Sequence, residues 1–421
     1  MVSTVWQGRF ACAGCEIIMR IVLVTETFLP RVDGVTNTLC HVLSYLSKCG
    51  HDTLLFAPKG SPARYGATRI VSFDGLPFPP YPDFKLISPT VNLAHHWRDF
   101  QPDIVHVLNP ITLGLGAIRR AKIMRLPTVA SYHTDVPSFA RHWRLGLFSG
   151  VMESYLRWIH NQAHLNLCPS EHTRMQLEQA GYLRLKVWSR GVDTQHFHPD
   201  QRSLAWRQRL TDGHDSAPIL LFVGRLAYEK RIDWIRPVLD AVPNLRLAIV
   251  GDGPARGYLQ SVFANTPTTF LGALHGQDLA QAYASADYFV SPSSCETFGN
   301  VVLEAMASGL PVIAANTGGQ TEFCVHGKNA LLFDANNHGD LVARVQEIMG
   351  RVSFARGLAQ AGRATALARN WDGVLDGLVE SYETVLAQSA YEYRSYTYAL
   401  RNTPPPVHTA STAAPDRTPR L

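Results

Sequence analysis

Short apolar runs recur along this chain, and most are followed by a stretch whose apolar residues fall three or four positions apart. IVLV (21–24), TLLFAP (53–58), DIVHVLNP (103–110), TVASYH (128–133), LNLCPS (165–170) and KVWSR (186–190) predict buried strands. Between them the helical period predicts a helix from about Thr36 to Cys49, stopped by Gly50, and another running through Arg125. The connection GLPFPPYP (75–82) is too rich in proline for a helix or a central strand. Alternating strands and helices imply a parallel sheet with helices on its faces, here over residues 19–190.

The polar stretch GVDTQHFHPDQRS (191–203) opens a predicted linker reaching residue 216. A second alternating series then fills 217–370, with strands at ILLFVGR (219–225), LRLAIVGDG (245–253), TTFLG (268–272), DYFVSPS (287–293), VIAA (312–315) and LLF (331–333). After it, Val374, Leu375, Leu378, Val379, Tyr382, Val385 and Leu386 are spaced as on one face of a helix, predicted over 371–388. Residues 389–421 are rich in Tyr, Ser, Thr, Pro and Ala, a composition that predicts a disordered tail. Its tyrosines 391, 393, 396 and 398, beside Arg394 and Arg401, offer a lipid-contacting alternative. Residues 1–18 lack the basic, apolar and small-residue zones of a signal peptide, and Met19-Arg20 looks like a natural start, so the extension reads as an upstream start or a tag. Two such halves leave a cleft between the carboxyl ends of their strands, where doubly wound sheets bind ligands.

Chemistry concentrates in SPSSCETFGNVVLEAMASGLP (291–311). The stretch leaves a strand, turns through small residues and enters a helix for which Asn300 is the expected N-cap and Gly309-Leu310-Pro311 the stop. The N–H groups of Phe298, Gly299, Asn300 and Val301 should point outward at the positive end of the helix dipole, a ready anion site. Glu296 and Glu304 bracket it, eight positions apart. Carboxylates repel phosphate but accept from sugar hydroxyls. The combination suits a ligand with phosphate in the middle and polyols at both ends, which describes a nucleotide sugar.

The loop GDGPARG (251–257) invites a different reading, a dinucleotide-binding oxidoreductase. Pro254 inside the loop, and the lack of an acid near Phe270 to grip a ribose, argue against it. Composition adds bounds. With 421 residues there is room for two domains, and 46% hydrophobic and 17% charged residues describe an ordinary globular protein. A net charge of +5 permits an anionic partner without calling for nucleic acid. No apolar run is long enough to span a membrane. The 7 cysteines lack zinc-finger spacing and point to a reducing cytoplasm; Cys12-x-x-Cys15 reads as an incidental pair, with redox chemistry as the alternative.

Glu-x7-Glu within CETFGNVVLEAMASGLPVIA resembles the donor-site signature of the family 4 retaining glycosyltransferases with the GT-B fold. The resemblance spans roughly Arg20 to Ala387 and implies an α/β protein of two Rossmann-like domains facing across a cleft, its last helix crossing back to the first. VGRLAYEK is similar to the family's motif in which Arg225 and Lys230, beside Gly224, hold the donor pyrophosphate. Such cations would also stabilise charge developing on a leaving diphosphate. The resemblance further implies that Glu304 binds the ribose and Glu296 the transferred sugar, with the Phe298–Asn300 amides on the phosphates. It sets Gly251 and Gly253 beside the nucleotide and Gly34 opposite the phosphates. His133, next to Asp135 in SYHTD, would lie near the donor hexose, although a lone histidine is as often structural. Arg190 in RGVD reads as hinge structure with a phosphate contact as a further role. His133, Arg225, Lys230 and Glu296 are thus the candidate catalytic residues. No Asp-x-Asp occurs, so the resemblance implies a metal-independent reaction with no cofactor beyond a UDP- or GDP-sugar.

TETFLPRVDGVTN, HNQAHLNLCPS and RGVDTQHFHP are similar to both sulfoquinovosyl diacylglycerol synthases and GDP-mannose-dependent α-mannosyltransferases. Either implies a lipid acceptor at the cytoplasmic face of a membrane. The segment Pro137–His160 mixes Arg141, Arg144 and Arg157 with Phe139, Trp143, Leu147, Phe148 and Trp158, which suits an anionic bilayer, or else an ordinary helix pair with aromatics in the core. A GT-B epimerase and a non-catalytic nucleotide-sugar binder are the readings from other classes.

Overall fold

A computed structural model describes residues 18–31, 33–78, 81–133 and 146–402. The extension 1–17, Asp135 and the segment 137–145 with Arg141 and Arg144, and the tail from 403, lie outside the described residues.

The first half is built on strands β1 (Arg20–Thr25), β2 (Asp52–Pro58), β3 (Arg64–Tyr65) and β4 (Thr68–Phe73), then a hairpin of β5 (Leu76–Phe78) and β6 (Tyr81–Leu86). It continues through β7 (Ile104–Leu108), β8 (Thr128–Ser131), β9 (Leu165–Cys168) and β10 (Leu185–Val187). Eight of these form one sheet in the order β10-β9-β8-β7-β1-β2-β4-β3, while the proline-rich hairpin stands apart as its own two-stranded sheet. Every pairing in the large sheet is parallel except β3 with β4. Strand β1 is apolar from Ile21 to Val24 because both its faces are covered. Ile21 and Leu23 pack under the helix Gly34–Lys48, and Val22 and Val24 pack against Trp97 and Ile118 on the opposite face. Strand β4, TRIVSF, alternates buried and exposed positions at the sheet margin, so it carries no long apolar run to mark it.

The second half contains β11 (Ile219–Val223), β12 (Arg246–Val250), β13 (Thr268–Gly272), β14 (Tyr288–Ser291), β15 (Val312–Ala315) and β16 (Leu331–Phe333). They form a parallel sheet in the order β13-β12-β11-β14-β15-β16. Here too the central strand splits by parity. Ile219, Leu221 and Val223 face one apolar cluster, and Leu220 and Phe222 face another.

Two boundaries differ from the sequence expectation. The predicted linker 191–216 is mostly packed structure: Phe197, and Trp206 and Leu210 of the helix Leu204–Thr211, are buried in the second domain's core. The crossing itself is short. Gly191 lies where a Cβ would come within 2.7 Å of the Trp371 backbone, and the Val192 N–H donates to the Arg369 carbonyl at 3.0 Å, so the outgoing and returning strands of chain cross side by side. The last helix runs from Trp371 to Asn402, well past the expected end at 388. The reason is that Ser389–Asn402 contains neither glycine nor proline; the prolines that coloured the composition begin only at Pro404. Leu375, Leu378, Tyr382, Val385 and Leu386 of this helix are buried against the first domain's sheet, as the period predicts.

Candidate active site

In each sheet the central strand has neighbours whose connections leave in opposite directions, and the crevice opens at that switch point. In the second domain it lies between β11 and β14, so the loop after β11 brings Gly224 and Arg225 beside the turn Ser291–Asn300 that follows β14. In the first it lies between β1 and its neighbour β7, whose loops supply Asp33 and Gly34, and Asn109 and Ile111. The two crevices face one another across a single cavity of about 500 Å³. His133, Arg225, Lys230, Glu296, Gly34, Gly224, Phe298, Gly299 and Asn300 all line it.

The turn is built by close backbone approach. Gly299 has φ 102°, a left-handed conformation that favours glycine, and stands at the N-cap position of the helix Asn300–Ala307. Asn300 is therefore the first helical residue, not its cap. Its side-chain Nδ2 lies 3.7 Å from where a Cβ on Gly34 would be, so the amide reaches toward the first domain. Among the described residues none of the N–H groups of Phe298 to Val301 donates to a main-chain carbonyl. They remain available to a ligand. Underneath, the Gly319 N–H donates to the Glu296 carbonyl at 2.7 Å, and a Cβ on Gly319 would meet the Thr297 carbonyl oxygen at 2.2 Å. Buried Gln320 completes the floor, donating to the Ala315 carbonyl at 2.7 Å and accepting from Ser291 at 3.3 Å.

The glycine loop after β12 explains the Arg225 loop. A Cβ on Gly251 would fall 1.9 Å from the Gly224 carbonyl oxygen, and one on Gly253 would fall 2.5 Å from that of Leu226. Leu226 donates to Asp252 at 3.0 Å and accepts from Ala255 at 2.9 Å. Both glycines thus stand behind the segment that carries Arg225 and outside the described lining. They hold the cation's loop in place.

Lys230 and Glu296 meet directly, Nζ to Oε1 at 2.6 Å, with 19% and 15% of their side-chain surfaces exposed. Burial alone would lower the ammonium's pKa, but the Glu296 charge and hydrogen bond, with Cys295 and Glu229 nearby, outweigh it and raise it. Lys230 stays charged. Glu304 lies one helical turn inside, outside the described lining, and accepts from the Tyr283 hydroxyl at 2.9 Å. Burial pushes its pKa up to about 7, against the opposing pull of that hydrogen bond.

On the first-domain side, Asp33 caps the helix Gly34–Lys48 by accepting from the Thr36 N–H at 2.9 Å, and it also binds the Thr27 hydroxyl at 3.0 Å and Arg31 at 3.3 Å. Two helix N-termini, one per domain, therefore converge on the cavity. His133 contributes its ring to the lining, but both ring nitrogens are engaged, Nε2 with Ser131 at 2.7 Å and Nδ1 with Arg190 at 3.1 Å. Arg190 is buried rather than a simple hinge residue. Its Nη1 donates to the Trp188 and Ser189 carbonyls at 2.7 and 3.0 Å, and burial lowers its pKa to about 9. Thr297, beside Glu296, bridges the domains: it donates to the His133 carbonyl at 3.4 Å and accepts from the Thr173 hydroxyl at 3.2 Å. Glu322 adds a second bridge by accepting from the His172 N–H at 3.0 Å.

The remaining first-domain lining is apolar: Val35, Phe78, Leu86, Ile111, Met152, Tyr155 and Leu156. Three of these come from the helix Gly146–His160, the described part of the expected lipid-facing segment. Within that helix Arg157 points inward and donates to the Ala180 carbonyl at 2.9 Å, so it does not serve the surface role expected of it. Trp158 does face outward, 45% exposed, stacked on Tyr155 with the Arg119 guanidinium 5.8 Å from its ring centre.

Comparison with known proteins gives the family and the fold. Residues 32–196 match the model of Glycosyltransferase Family 4, and residues 217–351 match that of Glycosyl transferases group 1. A GDP-mannose-dependent alpha-mannosyltransferase of Mycobacterium tuberculosis is 38% identical over 374 residues, covering 87% of this chain and 97% of that protein. A sulfoquinovosyl transferase of Arabidopsis thaliana is 33% identical over 361 residues, covering 84% of this chain and 71% of that protein. Among solved structures, Anabaena Alr3699/HepE in complex with UDP-glucose superposes with a TM-score of 0.72 at 19% identity, covering 87% of this chain and 100% of that one, which places the fold among GT-B proteins. This chain belongs to the family 4 glycosyltransferases.

Proposed function

We propose that this glycosyltransferase moves a hexose from a UDP- or GDP-sugar to a hydroxyl of a membrane lipid, with retention at the anomeric carbon and without a metal ion. The observation that carries the reading is the cavity's two unlike walls. Lys230, Arg225 and the N–H groups at Phe298–Val301, which no described main-chain carbonyl takes, line one side, and Phe78, Leu86, Ile111, Met152 and Leu156 form an apolar stretch on the other, beside Arg31 and Asp33. A diphosphate suits the first. An acceptor whose hydroxyl is joined to an apolar body suits the second.

The carboxylates among the described lining residues are Asp33 and Glu296, and each is already engaged, by Thr36, Thr27 and Arg31 in one case and by Lys230 in the other. That arrangement favours attack from the face the diphosphate leaves. The acceptor oxygen bonds to the anomeric carbon, the bond to the diphosphate oxygen breaks, and the acceptor proton passes to that oxygen. Arg225 and Lys230 supply the positive charge that a metal would otherwise bring to the departing group. Glu296 takes the sugar hydroxyls and Glu304 the ribose. An apolar acceptor wall also separates this reading from a GT-B epimerase, which needs no acceptor.

The test uses the full chain with diacylglycerol or a glycolipid in vesicles and a panel of UDP- and GDP-sugars. A glycolipid product is expected with one donor class, the panel deciding between sulfoquinovosyl and mannosyl transfer. Met152→Asp should raise the lipid KM by at least ~10-fold, the scale of one lost apolar contact, with donor affinity unchanged. Equal efficiency on a soluble acceptor, or an unchanged lipid KM in the variant, contradicts the lipid assignment.

A further inference from the structure

Behind His133 a chain of buried polar groups runs away from the cavity, and Arg190 fixes the direction of its first link. A guanidinium only donates, so the Arg190 Nη2 at 3.1 Å makes Nδ1 of His133 an acceptor and leaves the neutral ring's proton on Nε2. That N–H donates to Ser131 Oγ at 2.7 Å. Ser131 Oγ lies 3.0 Å from Nε2 of His106, and Nδ1 of His106 lies 2.7 Å from the Tyr382 hydroxyl oxygen. Either Ser131 donates to His106 and His106 to Tyr382, or Tyr382 donates to His106 and His106 to Ser131. Ser131 and His106 lie on adjacent strands β8 and β7, whereas Tyr382 belongs to the long C-terminal helix crossing back over the first domain. Ser131, His106 and Tyr382 are fully buried and Arg190 is 3% exposed.

Both imidazoles are kept neutral. Burial, with the Arg190 charge next, lowers the His106 pKa to about 3 and takes that of His133 well below its ordinary value. A neutral ring with both nitrogens occupied neither gives nor takes a proton in the cavity. It is a fixed wall, and its own main-chain carbonyl is the acceptor for Thr297 on the donor turn.

We propose that Tyr382 accepts from Nδ1 of His106, so that Ser131 donates to His106 and turns its oxygen to His133, making Tyr382 a positioning residue that holds the Nε2–H ring of His133 in one orientation. On the glycosyltransferase reading above, this sets the first-domain edge of the sugar subsite and leaves acceptor deprotonation to the departing diphosphate. The C-terminal helix thereby becomes a structural part of the active site.

The test reads tautomers directly, so it stands whether or not the donor and lipid assignments hold. The full chain is labelled with 15N-histidine, and long-range 1H–15N correlations are recorded from about pH 6 to pH 8. His106→Gln and His133→Gln identify the two rings. Wild type should show His133 protonated on Nε2 and His106 on Nδ1, neither titrating. Tyr382→Phe removes the acceptor at Nδ1 of His106 and should move His106 toward its Nε2–H form. Ser131 then faces two donors, and the His133 Nε2–H signal should shift and broaden while Arg190 keeps its tautomer. Ser131→Ala should release His133 while His106 keeps its Nδ1 proton on Tyr382. In either variant kcat should fall on the order of tenfold or more through misplacement, with the donor KM little changed. A wild-type His106 protonated on Nε2, or a His133 signal and kcat unaltered in both variants, overturns the proposal, as does a wild-type His133 protonated on Nδ1. A lower melting temperature with unchanged tautomers would assign Tyr382 a packing role only, and likewise overturn it. Should Tyr382→Phe fail to fold, Ser131→Ala decides the His133 end alone.

Discussion

At the scale of single residues, the site turns on pairings that residue types announce but sequence distance hides. Glu296 stands out as an acid in a turn before a helix, and Lys230 through the resemblance of VGRLAYEK to the family motif. Their contact at 2.6 Å joins positions 66 residues apart, and no local pattern contains it. His106 shows the opposite case. A histidine inside the apolar strand IVHVL signals a buried polar partner, but the partner Tyr382 lies 276 positions away on a helix that reads as plainly amphipathic. Glu304 yields a prediction from its setting. Its folded pKa of about 7 exceeds the ordinary 4.5, so between those values the native state binds more protons than the unfolded chain. Stability should therefore fall as pH rises through that window, with about 3 kcal/mol at stake from this group. Glu304→Gln should flatten that part of the stability curve in denaturant titrations run across the window. An unchanged slope would show that Glu304 ionises freely in the folded protein.

Among the elements, strands and helices with both faces covered were plain in the sequence, because long apolar runs and helical periods survive any context. Strand β4 was not, since a marginal strand buries only alternate residues. The helix Leu204–Thr211 hid inside a polar stretch, because only Trp206, Leu210 and Thr211 of it are buried. The C-terminal helix outruns its expected end because Ser389–Asn402, which holds no glycine or proline, shares a polar composition with the proline-rich stretch that follows. Placing the elements also offers a second candidate for the proposed lipid-facing surface. Arg157 turns inward, whereas exposed Arg119, Lys122 and Arg125, with Ile123 72% exposed, lie on and just after the helix Leu113–Met124, and Arg119 approaches Trp158 of the helix Gly146–His160. These basic and apolar groups suit an anionic bilayer. Near such a surface each cation contributes about 1 kcal/mol, so neutralising Arg119, Lys122 and Arg125 together should weaken vesicle binding by on the order of 100-fold. The attraction should fade with salt over a Debye length of roughly 10 Å. Flotation with vesicles of graded charge measures this, and equal flotation of variant and wild type would place the lipid surface elsewhere.

For the whole molecule, the two-domain plan and the cleft followed from two alternating series. What composition could not convey is how the halves are joined. The chain crosses twice at one place, Gly191 against Trp371, and the donor turn touches the first domain through Thr297 while Glu322 accepts from the helix that begins at Glu171. The cavity between them brings a cationic wall, an apolar wall and no unengaged carboxylate among its described lining. The central claim is that transfer occurs on the face the diphosphate leaves, with Arg225 and Lys230 in the place of a metal. The most direct measurement is the 1H NMR spectrum of the first product formed by the full chain from a nucleotide α-sugar, in buffer containing a strong chelator. The account predicts full activity and an α-linked product. A β-linked product, or a reaction that stops in chelator and resumes with added divalent ion, would contradict it.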